Sequence, residues 1–594
     1  MPGNDNKLIN SRYELTKVAL GEAEADLAII NGSVINVYTG EIITDSSILI
    51  KGDKIAYVGK FFKKGIGPNT KVIDASGKVL IPGFIDGHTH MDYLCSIAEV
   101  TRYAMKTGTT TIITETAEVA FRSGYRGIIE FLKSTKNQPI KFWFTLPPMG
   151  TVSPIAREHM LTNNDVRRLL RRSDCVGTGE TYWGPANAGD RQQLDIISET
   201  LAASKKIEGH SAGAVDNKLQ AYAALGITSD HEPITAEEAL ERLRLGLSVM
   251  IREGEVRQDL ESVSRIKDHQ IDFRRLAIST DGIGPWQFTT QGFMDWLDQR
   301  AINLGFHPIQ AIQMGTLNVA EHFNLHDFIG GIAPGRFADI VMIPALDAIQ
   351  PELVISNGQV VSQNGEALIQ PRRHIYPRFM VESIRLDREF QARDFAVHTD
   401  TNQSTVNVTV IDQVTRILTR DSILKLPVTE GQIRMDIAND IIKVAAVEYV
   451  HTCGKTFTGF IRGLGLRQGA VATSTCWDSA DLIAVGANEA DMALAVNRIK
   501  ELQGAVVVCR NGKIMAEAAF PIGSIISDEP MEVLAGKLTG VQQAAEELGC
   551  VSPDIRTTLS VLPTPAIPFI RICESGLFNV RTNKPIELRA DEHN

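Results

Sequence analysis

A chain of 594 residues exceeds what one hydrophobic core organises, which implies two to four domains. Its composition is 43% hydrophobic and 22% charged, and no apolar run approaches the roughly 20 residues that span a bilayer, which excludes a membrane-embedded class. A formal net charge of −11 without any lysine or arginine block excludes a nucleic-acid backbone as the main partner.

The N-terminal stretch MPGNDNKLINSRYELTKVAL carries neither a hydrophobic signal core nor an arginine-rich transit pattern, so a cytoplasmic location is expected. The 7 cysteines form no CxxC pair, which speaks against a zinc knuckle or a disulfide framework. Cys453 and Cys476 read as buried thiols.

In chain order, residues 1–80 contain short alternating runs such as "DLAIINGSVINVYTG" and "SSILIKGDKIAYVGK", punctuated by Asn31-Gly32, Gly52-Asp53 and Ser76-Gly77. Similar texture returns at 334–384, in "GRFADIVMIPALDAIQPELVISNGQVV", before a linker-like stretch. Two β-rich pieces around a long middle predict one small β-sandwich interrupted by an inserted domain.

That middle, 81–333, alternates β-branched runs ("TTTIITE", "IKFWFTLP", "CVGTGE", "KIEGH", "GITSDH", "LSVMIREG", "LAISTD") with helical patterns. In "TAEEALERLRLG", Thr235 and Glu238 have capping-box spacing. Repeated βα units over about 250 residues predict an α/β fold, a (β/α)8 TIM-like barrel. A doubly wound sheet is the alternative, weakened because no GxGxxG follows the first strand. Residues 385–594 read as a C-terminal α+β domain, with strands such as "STVNVTVIDQV" and helices such as "ANEADMALAVNRIKELQG".

The chemistry sits at the ends of the middle runs. "PGFIDGHTHMD" places His88 and His90 two apart, hence on one face of an extended strand. Later runs end in Glu180, His210, His231, Glu253 and Asp281. In a parallel barrel such ends open on one face, where these groups converge. Imidazole and carboxylate ligands suit Zn2+, Fe2+ or Mn2+, which lower the pKa of bound water, and an aspartate beside that water can carry its proton.

These residues, together with "EGHSAG", "AALGITSDHE", "LRLGLSVMIREG", "GFIRGLGLRQGAVATS" and "ANEADMALAVNRI", resemble the amidohydrolase superfamily and, within it, the bacterial adenine deaminases, over about residues 25–590. The resemblance implies two divalent metal ions, His88 and His90 holding the first with Asp281 near it. It implies Glu180 as a bridging glutamate and His210 and His231 as ligands of the second metal. Asp281 would shuttle the proton and Glu253 would contact the substrate's ring nitrogens. The implied reaction is hydrolytic deamination, adenine and water giving hypoxanthine and ammonia, by a homodimer or higher homo-oligomer.

The chain departs from the family pattern at several pocket segments. Met91-Asp92-Tyr93 follows His90, Ala117 replaces a histidine in the segment Glu115–Glu118, and Cys476–Asp481 lacks two histidines. A changed pocket is therefore expected, with Glu118, Trp183 and Trp477 as substrate-binding residues. Another amino-purine or pterin, or ring-opening of a cyclic amide, stands as the alternative substrate. A non-catalytic scaffold is opposed by the intact ligand positions.

Overall fold

The computed structural model describes residues 5–590. The first β-rich unit is assembled from both flanks of the middle segment. Strand Val79–Pro82 pairs with Leu27–Asn36 on one side and antiparallel with Ile340–Ile343 on the other. The hydrogen-bonded strands form one continuous nine-stranded sheet. Register shifts between Ile29 and Val34 interrupt strand Leu27–Asn36, and such bulges bend a strand. Leu27, Ile29, Val34, Ile48, Ile50, Leu80, Ile340 and Ile355 form its core.

The middle segment contributes eight parallel strands: β1 (Phe84–Thr89), β2 (Thr109–Thr114), β3 (Lys141–Leu146), β4 (Cys175–Tyr182), β5 (Lys206–His210), β6 (Ser229–Asp230), β7 (Ser248–Arg252) and β8 (Leu276–Ser279). The first five form one parallel sheet and the last three another. Side chains of both sheets meet in one cluster, where Ile85, Ile113 and Val176 pack with Met250 and Ala277. Val249, Ile251, Leu276 and Ile278 point the other way and pack with helix residues Leu297, Ala301, Ile309 and Ile312. Nearly every residue of these strands is buried, on both faces.

The two sheets are tied edge to edge by a polar contact. Asp86 of β1 is fully buried and accepts hydrogen bonds from the Thr280 backbone N–H at 3.2 Å and the Thr280 hydroxyl at 2.6 Å. One residue on, the Asp281 N–H donates to the His88 carbonyl at 3.0 Å. On the far side, the Thr228 N–H donates to the Ile207 carbonyl at 2.8 Å.

The helix Ala236–Arg244 begins where the sequence places it: Thr235 Oγ1 accepts from the Glu238 N–H at 3.2 Å. Glu238 reaches back to the Ile234 N–H at 2.8 Å rather than to Thr235 itself, so the expected box closes one residue early. Its buried Arg242 pairs with Asp230 at 2.8 Å and donates to the Ala214 carbonyl at 3.0 Å, binding together the loops that follow β5 and β6.

Beyond residue 385, a ten-stranded sheet packs with helices Glu489–Leu502 and Met531–Glu547. It is knitted to the middle segment immediately after His90, because Leu94–Cys95 pairs in parallel with Ile526–Ser527. Among the described residues, no helix is long and apolar enough to cross a membrane. Cys476 is buried and Cys453 is partly exposed; all seven cysteines are free thiols.

Asp86→Ala is expected to leave the Thr280 donors buried and unsatisfied, at a cost of about 1–3 kcal/mol. Urea denaturation should show a lower midpoint with an unchanged slope; an unchanged midpoint would mean that Asp86 does not join the two sheets.

Candidate metal centre

The strand ends converge as the spacing requires. His88 Nε2 lies 3.1 Å from Asp281 Oδ1 and 3.2 Å from Glu180 Oε1. His90 Nε2 lies 3.4 Å from the same Asp281 oxygen and 3.8 Å from Glu180 Oε1. Across the site, His231 Nε2 is 3.0 Å and His210 Nδ1 is 3.4 Å from Glu180 Oε1. Two ligand groups result, His88, His90, Glu180 and Asp281, and Glu180, His210 and His231, each with donor atoms within 4.8 Å of one another. One carboxylate oxygen is common to both.

Local structure aims these side chains. The pairing of β1 with β2 shifts register between Asp86 and Thr89, an irregularity of the kind that redirects a strand end. Asp281 lies in the left-handed region at φ 51°, a conformation that aspartate and asparagine tolerate better than most residues. Gly179, just before Glu180, is needed for space: a Cβ there would come within 1.9 Å of the Glu115 carboxylate.

The electrostatics are those of a site built for cations. Burial disfavours ionised Glu180, yet hydrogen bonds from His210, His231, His88 and His90 hold its carboxyl well below the usual range. Asp281 behaves alike: burial opposes its charge, and His88 and His90 outweigh burial. Burial would lower the His88 pKa, but Asp281 and Glu180 push it up to about 10. Divalent ions coordinated by these nitrogens and oxygens would supply the positive charge that the two carboxylates demand, so the donor set fits a metal pair.

Not every expected residue joins the cluster. Glu253 is turned away from it: its carboxylate pairs with Arg300 at 2.8 Å and accepts from the Leu260 N–H at 3.1 Å. The reason is strand parity. Met250 faces inward along β7, so Arg252, two residues on, also faces inward and Glu253 faces the helices. Arg252 lies 3.3 Å from Asp281 Oδ2 and also pairs with Glu232, whose Oε1 is 3.4 Å from His210 Nε2. The sequence reading missed both, although each adjoins a residue it selected.

Trp183 is likewise set aside. Its indole N–H donates to the Ala212 carbonyl at 2.9 Å, and its ring packs against the buried cluster that contains Ala186, Ala214, Leu219 and Tyr222. The preceding residue, Tyr182, instead lines the cavity beside the cluster, with His90, Glu115, Ala117, Glu118, Met149, Glu180 and Asp478. Trp477 packs behind His90 rather than in the cavity lining: its ring meets His90 edge-on at 4.6 Å and Tyr93 at 4.4 Å between centroids. Glu118 lines the cavity, but both its oxygens are engaged, Oε2 by Arg122 at 2.8 Å and Oε1 by the Asp478 N–H at 3.1 Å.

Strand-end histidines around a shared glutamate, opposite an aspartate, define a metal-dependent hydrolase of the amidohydrolase class. The model of the Amidohydrolase family matches residues 79–361, and that of the Adenine deaminase C-terminal domain matches residues 416–584. An adenine deaminase of Moorella thermoacetica is 35% identical over 97% of both chains. One of Cenarchaeum symbiosum is 33% identical over 98% of this chain and 96% of its own, and one of Clostridium botulinum is 32% identical over 97% of both. The chain belongs to the adenine deaminase family.

Replacing His88 and His90 together by alanine should lower bound divalent metal toward that of chelator-stripped protein while far-UV circular dichroism stays unchanged. Elemental analysis after metal-supplemented expression checks this; a wild-type metal content would remove the pair from the centre.

Proposed function

We propose that this protein deaminates adenine by hydrolysis, with water entering and hypoxanthine and ammonia leaving, at a centre of two divalent metal ions. The observation that carries the reading is the Glu180 oxygen common to both ligand groups, with Asp281 beside the first. Family membership along nearly the whole chain supports the substrate. The eight parallel strands are read as a (β/α)8 barrel, whose active sites lie at the C-terminal strand ends. His88, His90 and Asp281 would hold one ion, His210 and His231 the other, and Glu180 both; Mn2+, Fe2+ and Zn2+ all suit these ligands. Bound there, such ions lower the pKa of a water toward neutrality.

The remaining work falls to the chain's own groups. Asp281 takes the proton of the attacking water as its oxygen bonds to the ring carbon bearing the amino group. The same carboxyl then delivers the proton to the departing nitrogen, so that the carbon–nitrogen bond breaks with ammonia as leaving group. Arg252, 3.3 Å from Asp281 Oδ2, steadies the carboxylate between the two transfers. Ala117 and Met149 supply apolar surface for a flat ring, and Trp477 backs His90.

Asp281→Asn keeps an oxygen for the metal and tolerates the left-handed backbone, but cannot carry the proton. The expected result is a kcat lower by about 10²–10⁴-fold with metal content largely retained. Ammonia release from adenine, measured beside a panel of amino-purines, pterins and cyclic amides, tests both role and substrate. A kcat within a few-fold of wild type would reduce Asp281 to a turn former, and release from another ring alone would replace adenine.

A further inference from the structure

The cavity beside the metal centre has one wall that the strand ends do not build. Asp478, from the C-terminal domain, is buried there. Its Oδ2 accepts from the Tyr182 hydroxyl at 2.8 Å and from the Thr564 hydroxyl, and its backbone N–H is tied to Glu118 at 3.1 Å. Two of these contacts hold the carboxyl group and the third holds its backbone. Among the described residues none donates to Oδ1, although the side chain lines the cavity.

Two of the other acids of the cavity are committed elsewhere. Glu180 belongs to the metal ligands, and Glu118 is engaged by Arg122 and the Asp478 N–H. Glu115 stands on the side of the metal ligands, 3.6 Å from His88 Nδ1, with its Oε1 free of hydrogen bonds. Asp478 is the acid that keeps an oxygen on the C-terminal wall. The loop supplying Thr564 is itself held by buried Arg571, which donates to the Ile567 carbonyl at 2.9 Å and the Pro568 carbonyl at 3.2 Å.

Resting on the deaminase reading above, we infer that Asp478 determines specificity: its free Oδ1 accepts the imidazole N–H of a purine base. The amino-bearing carbon has to face the metal ligands and Asp281. The ring N–H, on the five-membered side of adenine, then faces the cavity's other wall. A carboxylate held by Tyr182 and Thr564 selects for that N–H and against rings alkylated at it. A buried acceptor left without its donor is a strong basis for rejection, stronger than an apolar wall provides.

Two perturbations test this. On the wild-type enzyme, kcat/KM for adenine is compared with that for 7-methyladenine and 9-methyladenine; at least one should lose about 100-fold or more. In Asp478→Asn, which can still accept from Tyr182 and Thr564 through its amide oxygen, that preference should collapse to within a few-fold. KM for adenine should rise more than kcat falls, and metal content and thermal midpoint should stay near wild type. Calorimetric binding of hypoxanthine reads the same contact without turnover and should weaken about 10-fold or more in the variant. The inference is overturned if the preference survives the substitution, if neither methylated base is disfavoured, or if hypoxanthine binds the variant as it binds wild type or fails to bind wild type. Absence of ammonia from adenine with the wild-type enzyme would instead count against the proposed function.

Discussion

One carboxylate oxygen, Glu180 Oε1, has four imidazoles within 3.8 Å of it, and much of the molecule follows from that crowding. A buried anion is costly unless positive charge answers it, and four histidines are more than a carboxylate needs for simple pairing. The arrangement is economical only if cations sit among the ligands. Holding such donors together requires rigid supports, which the strands and their ties provide. Asp86 locks β1 to the turn carrying Asp281, and Arg242 locks the loops carrying His210 and His231.

The C-terminal domain takes part in the centre rather than merely adjoining it. Arg122, fully buried on the helix after β2, donates to the Cys476 carbonyl and to the Tyr449 hydroxyl while it pairs with Glu118. That single guanidinium couples the middle segment to the loop presenting Trp477 and Asp478. Trp477 then rests on His90, so a metal ligand is itself packed against the far domain.

The segments where the sequence reading expects a changed pocket lie along this junction. Ala117 and Glu118 line the cavity with Asp478 on its C-terminal side, Met91, Tyr93 and Cys476 are buried, and Trp477 packs on His90 and Tyr93. Segments nearly 400 residues apart in sequence meet here. Trp286 stands outside that junction: it is largely exposed and lines a separate groove with Gln542 and Arg556.

The residues of the candidate metal cluster were legible in the sequence because their signal is local. A strand end announces itself by β-branched residues stopping at a polar one, and His88, His90, Glu180, His210, His231 and Asp281 each sit at such a stop. The alternation of strands and helices was legible for the same reason, since period and turn chemistry are short-range properties. What tertiary structure alone decided is which neighbour faces in. Parity along β7 chooses Arg252 over Glu253, and the turn after β4 chooses Tyr182 over Trp183, in each case one residue from the expected one. Asp478 was beyond reach for a different reason. Its partners Glu118, Tyr182 and Thr564 come from three distant segments, and only the docking of two domains makes a shared wall of them.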